Sequence, residues 1–237
     1  MNFSAPPRLG VPRLHLVTDD AVLRTSGFRE LGARVLSAHS AALALQLRGH
    51  GLAGRELFEL AEALVPVARA SGAWLLVNDR VDVARCAGVR AVQLGRRSLP
   101  IAAARGLLGP DVRIGYSAHD AAEARQAQDD GVDFVLLGAI YPSASHPDRP
   151  PAGVELLRRT AAAVAVPVIA IGGITPERVA ELVGAGAHGV AVLGGVWRAA
   201  DPLAAAAGYV AALEAAAGPM AAPAGYNARS GQHLERT

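Results

Sequence analysis

The chain contains no lysine, because all 23 of its basic residues are arginine. Schiff-base chemistry through a lysine is therefore excluded. Arginine does suit the planar, multidentate recognition of phosphate. A single cysteine, Cys86, excludes an internal disulfide and any multi-cysteine metal site, and it fits a reducing cytoplasm as the expected location. Aromatic residues make up only 4% of a chain that is 51% hydrophobic, so the core has to be built from Ala, Val and Leu. Such small side chains suit helices packed closely on a parallel sheet. The net charge is +2, with arginines scattered among acids rather than gathered in a stripe, which argues against a nucleic-acid partner. No apolar run long enough to span a membrane is free of charge, and Met1 to Pro12 carries three prolines without the apolar centre of a targeting signal.

What is present is a recurrent unit. Short apolar runs alternate with Ala/Leu/Glu/Arg segments of helical period, the pattern of βα units on a parallel sheet. The expected strands are 14–18, 43–47, 74–78, 91–94, 113–117, 134–138, 168–171 and 189–193. The expected helices are 28–39, 54–70, 80–86, 101–108, 121–130, 154–163, 176–183 and 202–216. Thr175-Pro176 and Asp201-Pro202 read as N-caps followed by proline at the first helical position. Gly72, Gly88, Gly131 and Gly186 stand where each helix must turn into the next strand. Eight units in a chain of 237 residues predict a (β/α)₈ TIM barrel as one domain over 13–216, after an N-terminal extension (1–12) and before a disordered tail (217–237). An open doubly wound sheet is the rival, but no Gly-x-Gly-x-x-Gly follows the first strand.

In eight-fold barrels the loops after strands seven and eight often bind phosphate through backbone N–H groups. Gly172-Gly173 and Gly194-Gly195 occupy those two loops. Either pair alone reads equally well as a tight turn; together they point to a phosphate cup. The first three strands end in Thr18-Asp19-Asp20, Gln46-Leu47-Arg48 and Asn78-Asp79-Arg80, on the face where barrel active sites lie. Arg48 is suited to an anionic group and Asn78 to the edge of a heterocycle. Asp79 has two readings, cap of the helix that follows or ligand of Mg²⁺. Ser117-Ala118-His119 closes the fifth strand, and His119 at a mouth is a candidate general acid or base, although an exposed first-turn histidine is equally common. A connection of about fifteen residues after the sixth strand is long enough for a lid, and its Ser143, Ser145 and His146 are candidates for phosphate oxygens.

In order and spacing, several segments resemble the thiamine phosphate synthase and thiazole tautomerase family. They are Gln46-Leu47-Arg48, Val77-Asn78-Asp79-Arg80, Val92-Gln93-Leu94-Gly95, Ser117-Ala118-His119, Leu137 to Pro142 and Ala170 to Ile174. The resemblance runs from Leu14 to Trp197 and implies a barrel. For the synthase, which joins a pyrimidine diphosphate to a thiazole phosphate, it implies Mg²⁺ held by two aspartates and lysines on the diphosphate. Asp79 stands for the first aspartate, Ser98 replaces the second, Gly49-His50 replaces one lysine and His146 another. A hydroxyl does not supply the missing charge to a hard cation. The leading expectation is therefore a thiazole tautomerase needing no cofactor. In it the glycine turns hold the phosphate, His119 moves the proton, and Arg48 steers the carboxylate, with Gln46, Asn78, Ser117, Ser143 and Ser145 around the substrate. The alternative is a Mg²⁺-dependent synthase with Asp79 as the metal ligand, in which Arg96, Arg97, His50 and His146 compensate. A third reading is a non-catalytic binder of thiazole phosphate. The expected partner is a small phosphorylated heterocycle and, at most, further copies of the chain, with no nucleic acid and no membrane.

Overall fold

A computed structural model describes residues 10–143 and 151–217. Eight parallel strands form a closed barrel in sequence order: β1 (Leu14–Val17), β2 (Leu43–Leu47), β3 (Trp74–Asn78), β4 (Ala91–Leu94), β5 (Arg113–Ala118), β6 (Phe134–Gly138), β7 (Val168–Ile171) and β8 (Gly189–Val192). Closure, which eight βα units only suggest, is made by the register Leu14↔Val190 and Leu16↔Val192 between the first and last strands. The helices are α1 (Asp20–Leu23), α2 (Phe28–His39), α3 (Gly54–Ser71), α4 (Val81–Ala87), α5 (Ile101–Leu108), α6 (Ala121–Asp129), α7 (Gly153–Ala163), α8 (Val179–Gly184), α9 (Gly194–Trp197) and α10 (Pro202–Ala217). Two short 3₁₀ turns, Ser40–Ala42 and Pro176–Arg178, complete the order. Ala217, expected to open the tail, instead closes α10, and the rest of the expected tail and most of the N-terminal extension lie outside the described residues.

Alternation along the strands builds two cores. One set, including Leu43, Leu45, Leu47, Leu75 and Val77, is wholly buried in the layer between strands and helices. The other set, with Ala44, Trp74, Leu76, Ala91, Phe134 and Ile169, fills the barrel interior with alternating small and large side chains. At the N-terminal end of the barrel His15 is completely buried, 5.3 Å from the Phe134 ring. Its Nε2–H donates to the Pro12 carbonyl at 3.0 Å, and Nδ1 has no partner among the described residues. Burial away from water pushes its pKa down from 6.5 to about 3, so it is a neutral histidine of the core.

Several local expectations hold. Gly72, Gly88, Gly131 and Gly186 all have positive φ, between 67° and 98°. Asp201 accepts from the N–H groups of Leu203 and Ala204, as an N-cap should. Thr175 takes the extended N-cap conformation, but its side chain bonds to no N–H of the following turn, and that turn opens as 3₁₀ before α8. The short helices α1 and α9 were absent from the sequence reading, since four residues carry no period.

Candidate active site at the C-terminal mouth

The inward alternation that places Ala44, Leu76 and Ala91 inside the barrel places Gln46, Asn78 and Gln93 one step nearer the mouth, with Ser117 on the neighbouring strand. Gln46 and Gln93 are each only 1% exposed. Gln46 donates through Nε2 to Asn78 Oδ1 at 2.6 Å, and Asn78 donates through Nδ2 to Asp79 Oδ2 at 2.5 Å. Ser98 donates to the other carboxylate oxygen of Asp79 and accepts from the Gly95 N–H at 2.7 Å. All of these bonds run toward Asp79, because an ionised carboxylate only accepts.

Asp79 therefore does not cap a helix, which corrects one of its two readings. The following helix begins at Val81, and Arg80 stands at its N-cap. Asp79 has φ of +60°, a conformation that is uncommon outside glycine and costs free energy, and each of its carboxylate oxygens accepts one bond, from Asn78 and from Ser98, rather than from a helix N–H. Asp19 and Asp20 also serve the rim. Asp19 caps α1 through the Val22 N–H at 2.9 Å, and Asp20 accepts from the Gly51 N–H at 2.8 Å. Arg48 is partly exposed, and its backbone N–H donates to Thr18 Oγ1 at 2.9 Å. Its guanidinium forms no ion pair among the described residues. His50 is exposed, Arg96 is paired with Glu123, and Arg97 is exposed.

Gln93 was not foreseen as part of the site. It donates to Ser117 Oγ at 2.9 Å, which leaves the Ser117 proton free to point elsewhere. Gly115 makes room for it, since a Cβ there would lie 2.3 Å from Gln93 Oε1. The signal was present in the two-residue spacing from Ala91. Gln46 Oε1 and Gln93 Oε1 are buried acceptors without a donor among the described residues. Buried acceptors are costly to leave unpaired, so this pattern suits a ligand or water bearing N–H or O–H groups.

The two glycine pairs differ in construction. Gly172 and Gly173 have φ of +104° and +63°, and a Cβ on Gly173 would meet the Pro142 carbonyl at 2.3 Å. The turn is therefore clamped under the loop that follows β6, where Tyr141 N–H donates to the Gly172 carbonyl at 3.1 Å. Gly194 and Gly195 form the start of α9 rather than an open turn. A Cβ on Gly195 would lie 2.3 Å from the Tyr209 hydroxyl, which itself donates to the Ile174 carbonyl at 2.9 Å. Among the described residues none of these four glycine N–H groups donates to another backbone carbonyl. They are the kind of free donors that hold phosphate. Ser143 is partly exposed at the edge of the described segment, and Ser145 and His146 lie outside the described residues.

His119 follows β5 with its side chain 37% exposed, and its Nδ1 is 3.1 Å from Glu123 Oε2. Glu123 also takes the His119 backbone N–H at 2.9 Å and pairs with Arg96. Burial pushes the Glu123 carboxyl up, but the bonds from Arg96 and His119 outweigh it and leave the group below its ordinary range. Cys86 is exposed and unpaired by disulfide. No helix among the described residues is long and apolar enough to cross a membrane.

A closed eight-strand barrel with buried amides, one carboxylate and free glycine N–H groups at its C-terminal mouth is the arrangement of the (β/α)₈ barrel class, whose active sites lie at that mouth. Within that class the chain is a member of the thiamine monophosphate synthase family, whose model matches residues 14–196. It is 38% identical over 205 residues to a thiamine-phosphate synthase of Chlorobium phaeovibrioides, covering 86% of this chain and 95% of the relative. It is 44% identical over 166 residues to that of Moorella thermoacetica, covering 70% and 79%. The thiamine phosphate pyrophosphorylase of Pyrococcus furiosus superposes with a TM-score of 0.77 at 29% identity, covering 89% of this chain and 99% of that one. Membership makes the chain an enzyme of thiamine biosynthesis. These relatives carry synthase names, and the tautomerase expectation finds no support among them.

Proposed function

We propose that the chain is a thiamine-phosphate synthase, a transferase that joins hydroxymethylpyrimidine diphosphate to thiazole phosphate. This reverses the order of the two activities expected from sequence. The observation that carries it is the presentation of Asp79 at the mouth by Gln46 and Asn78, in a chain aligned along nearly the whole length of named synthases. In the reaction a bond to the heterocycle forms as the bond to diphosphate breaks, so the departing charge must be stabilised. The family implies Mg²⁺ for that purpose. The described residues contain no group of three His, Cys, Asp or Glu placed to hold a metal. However, Mg²⁺ is commonly held by one or two carboxylates together with substrate phosphates. Asp79 fits that minimum, and the cation bound there with the diphosphate would neutralise the leaving group.

The remaining work falls to the chain's own residues. The free N–H groups of Gly172, Gly173, Gly194 and Gly195 bind the thiazole phosphate. Gln46 Oε1 and Gln93 Oε1 accept from the amino group of the pyrimidine or from bridging water, and Asn78 keeps Asp79 turned into the mouth. Ser117, whose oxygen is occupied by Gln93, donates its proton to a phosphate oxygen. Asp79→Asn should abolish Mg²⁺-dependent formation of thiamine phosphate while leaving binding of thiazole phosphate within about twofold, because the mutation removes charge from one half-site only. Full activity in that variant would exclude the assignment.

A second reading rests on two observations: Ser98 supplies a hydroxyl where a second carboxylate is implied, and His119 is held by Glu123 at the same mouth. That combination favours proton transfer on thiazole phosphate carboxylate without metal. Conversion of that compound alone by the purified protein, lost in His119→Ala, is its test. Binding of thiazole phosphate with neither activity would leave the non-catalytic reading.

A further inference from the structure

Glu123 is doubly engaged, and its two oxygens look in different directions. One pairs with Arg96 on the loop after β4. The other receives both the backbone N–H of His119 and the ring Nδ1 of His119. Asp120 caps the same helix through the Glu123 N–H at 2.8 Å, so the helix start keeps a cap of its own without the Glu123 side chain. The Glu123 carboxylate is held in its ionised form by these donors, and an ionised carboxylate can only accept. The ring nitrogen facing it must therefore carry the proton. Nε2 is then the unprotonated nitrogen of the neutral ring, and it has no hydrogen-bond partner among the described residues. Free imidazole side chains in water favour the opposite tautomer, so the carboxylate imposes a choice.

We propose that Glu123, anchored by Arg96, is a positioning residue for His119, fixing the Nδ1–H tautomer so that Nε2 offers a lone pair to the substrate at the mouth. The chemical group it serves is the acidic C–H of thiazole phosphate carboxylate, whose proton Nε2 takes up and returns to another carbon of the same molecule as the ring becomes aromatic. The proposal rests on the second reading above, in which His119 moves a proton at the mouth, since the joining of two heterocycles gives His119 no step. Ser117, two residues earlier on β5, already faces the buried Gln93 inside the barrel, so His119 follows a residue committed to that side. Arg96 belongs to the same loop as Ser98, which ties Asp79. The loop thus braces the two polar groups of the mouth from opposite ends.

The test is ¹⁵N NMR of the full chain near pH 8, with His119 identified among the seven histidines by the resonances missing from His119→Gln. Wild type should show His119 as the Nδ1–H tautomer. Glu123→Ala should move it toward Nε2–H and lower kcat at least about tenfold, with KM changed less than about threefold, the signature of a lost proton-transfer geometry. Glu123→Gln keeps an oxygen acceptor and should restore the tautomer and most of the rate. The rate is read on thiazole phosphate carboxylate, and formation of thiamine phosphate from the pyrimidine diphosphate and thiazole phosphate pair is measured beside it to show that the substrate site is intact. An Nε2–H tautomer in wild type, or a Glu123→Ala protein that keeps both tautomer and rate, overturns the proposal. An Nδ1–H tautomer in an enzyme whose His119→Ala variant is fully active also overturns it, by removing His119 from the reaction while leaving the substrate site in place.

Discussion

The hydroxyl of Ser98 donates to the carboxylate of Asp79 while accepting from the backbone N–H of Gly95. Its direction is fixed, because the Gly95 N–H can only donate. Ser98 therefore stands beside Asp79 as a donor, where a second carboxylate would stand as a repelling but metal-binding neighbour.

Replacing Ser98 by Asp should convert the site into one with two carboxylates. The Mg²⁺ concentration giving half-maximal formation of thiamine phosphate is expected to fall roughly tenfold, since hard cations gain most from added anionic oxygen. Titrating the initial rate against Mg²⁺ checks this; an unchanged or raised requirement would speak against Asp79 as the metal ligand.

The Tyr209 hydroxyl touches both glycine turns, bonding the Ile174 carbonyl and abutting Gly195. Gly195→Ala would place a Cβ 2.3 Å from that oxygen, with the ring carbon Cζ next at 3.3 Å. Overpacking of this kind costs about 1–3 kcal/mol. In a Tyr209→Phe background the oxygen is gone, and the same alanine should cost about 1 kcal/mol less. Urea unfolding of the two single variants and the double variant measures the coupling, and strict additivity would mean the turns are not joined through this hydroxyl.

His15 makes a pH prediction with a definite sign. Unfolded, it takes a proton near 6.5; folded, only near about 3. Between those values the unfolded chain binds more protons, so His15 makes stability fall as pH drops from 6.5 toward 3. His15→Leu should flatten the dependence of Tm on pH between about pH 6 and about pH 4. A slope equal to that of wild type would place the acid sensitivity elsewhere.

Much of the fold was legible because strand runs such as Leu43–Leu47 and Trp74–Asn78 are apolar and bounded by turn residues, and the structure returns them with the same limits. Ends were less legible where a strand stops on a polar residue. Thr18 looked like part of β1, but its backbone N–H and hydroxyl both turn to the Gln46 carbonyl just past the strand. At the site, Gln46, Asn78 and Ser117 were readable from strand-end chemistry, and here they form two short hydrogen-bond chains. Gln93 and Glu123 were missed for different reasons. Gln93 sits inside an apolar run, where a polar residue reads as an interruption. Glu123 reads as ordinary capping chemistry after Asp120, and only the fold brings Arg96 to its other side. Asp79 kept a cap among its two readings because its positive φ leaves no mark on sequence.

The central claim is that this mouth joins two heterocycles rather than rearranging one. Purified protein mixed with hydroxymethylpyrimidine diphosphate, thiazole phosphate and Mg²⁺ is expected to release diphosphate and form thiamine phosphate in equal amounts, with neither product when Mg²⁺ is removed. No thiamine phosphate from the complete mixture, together with metal-independent conversion of thiazole phosphate carboxylate alone, would contradict it.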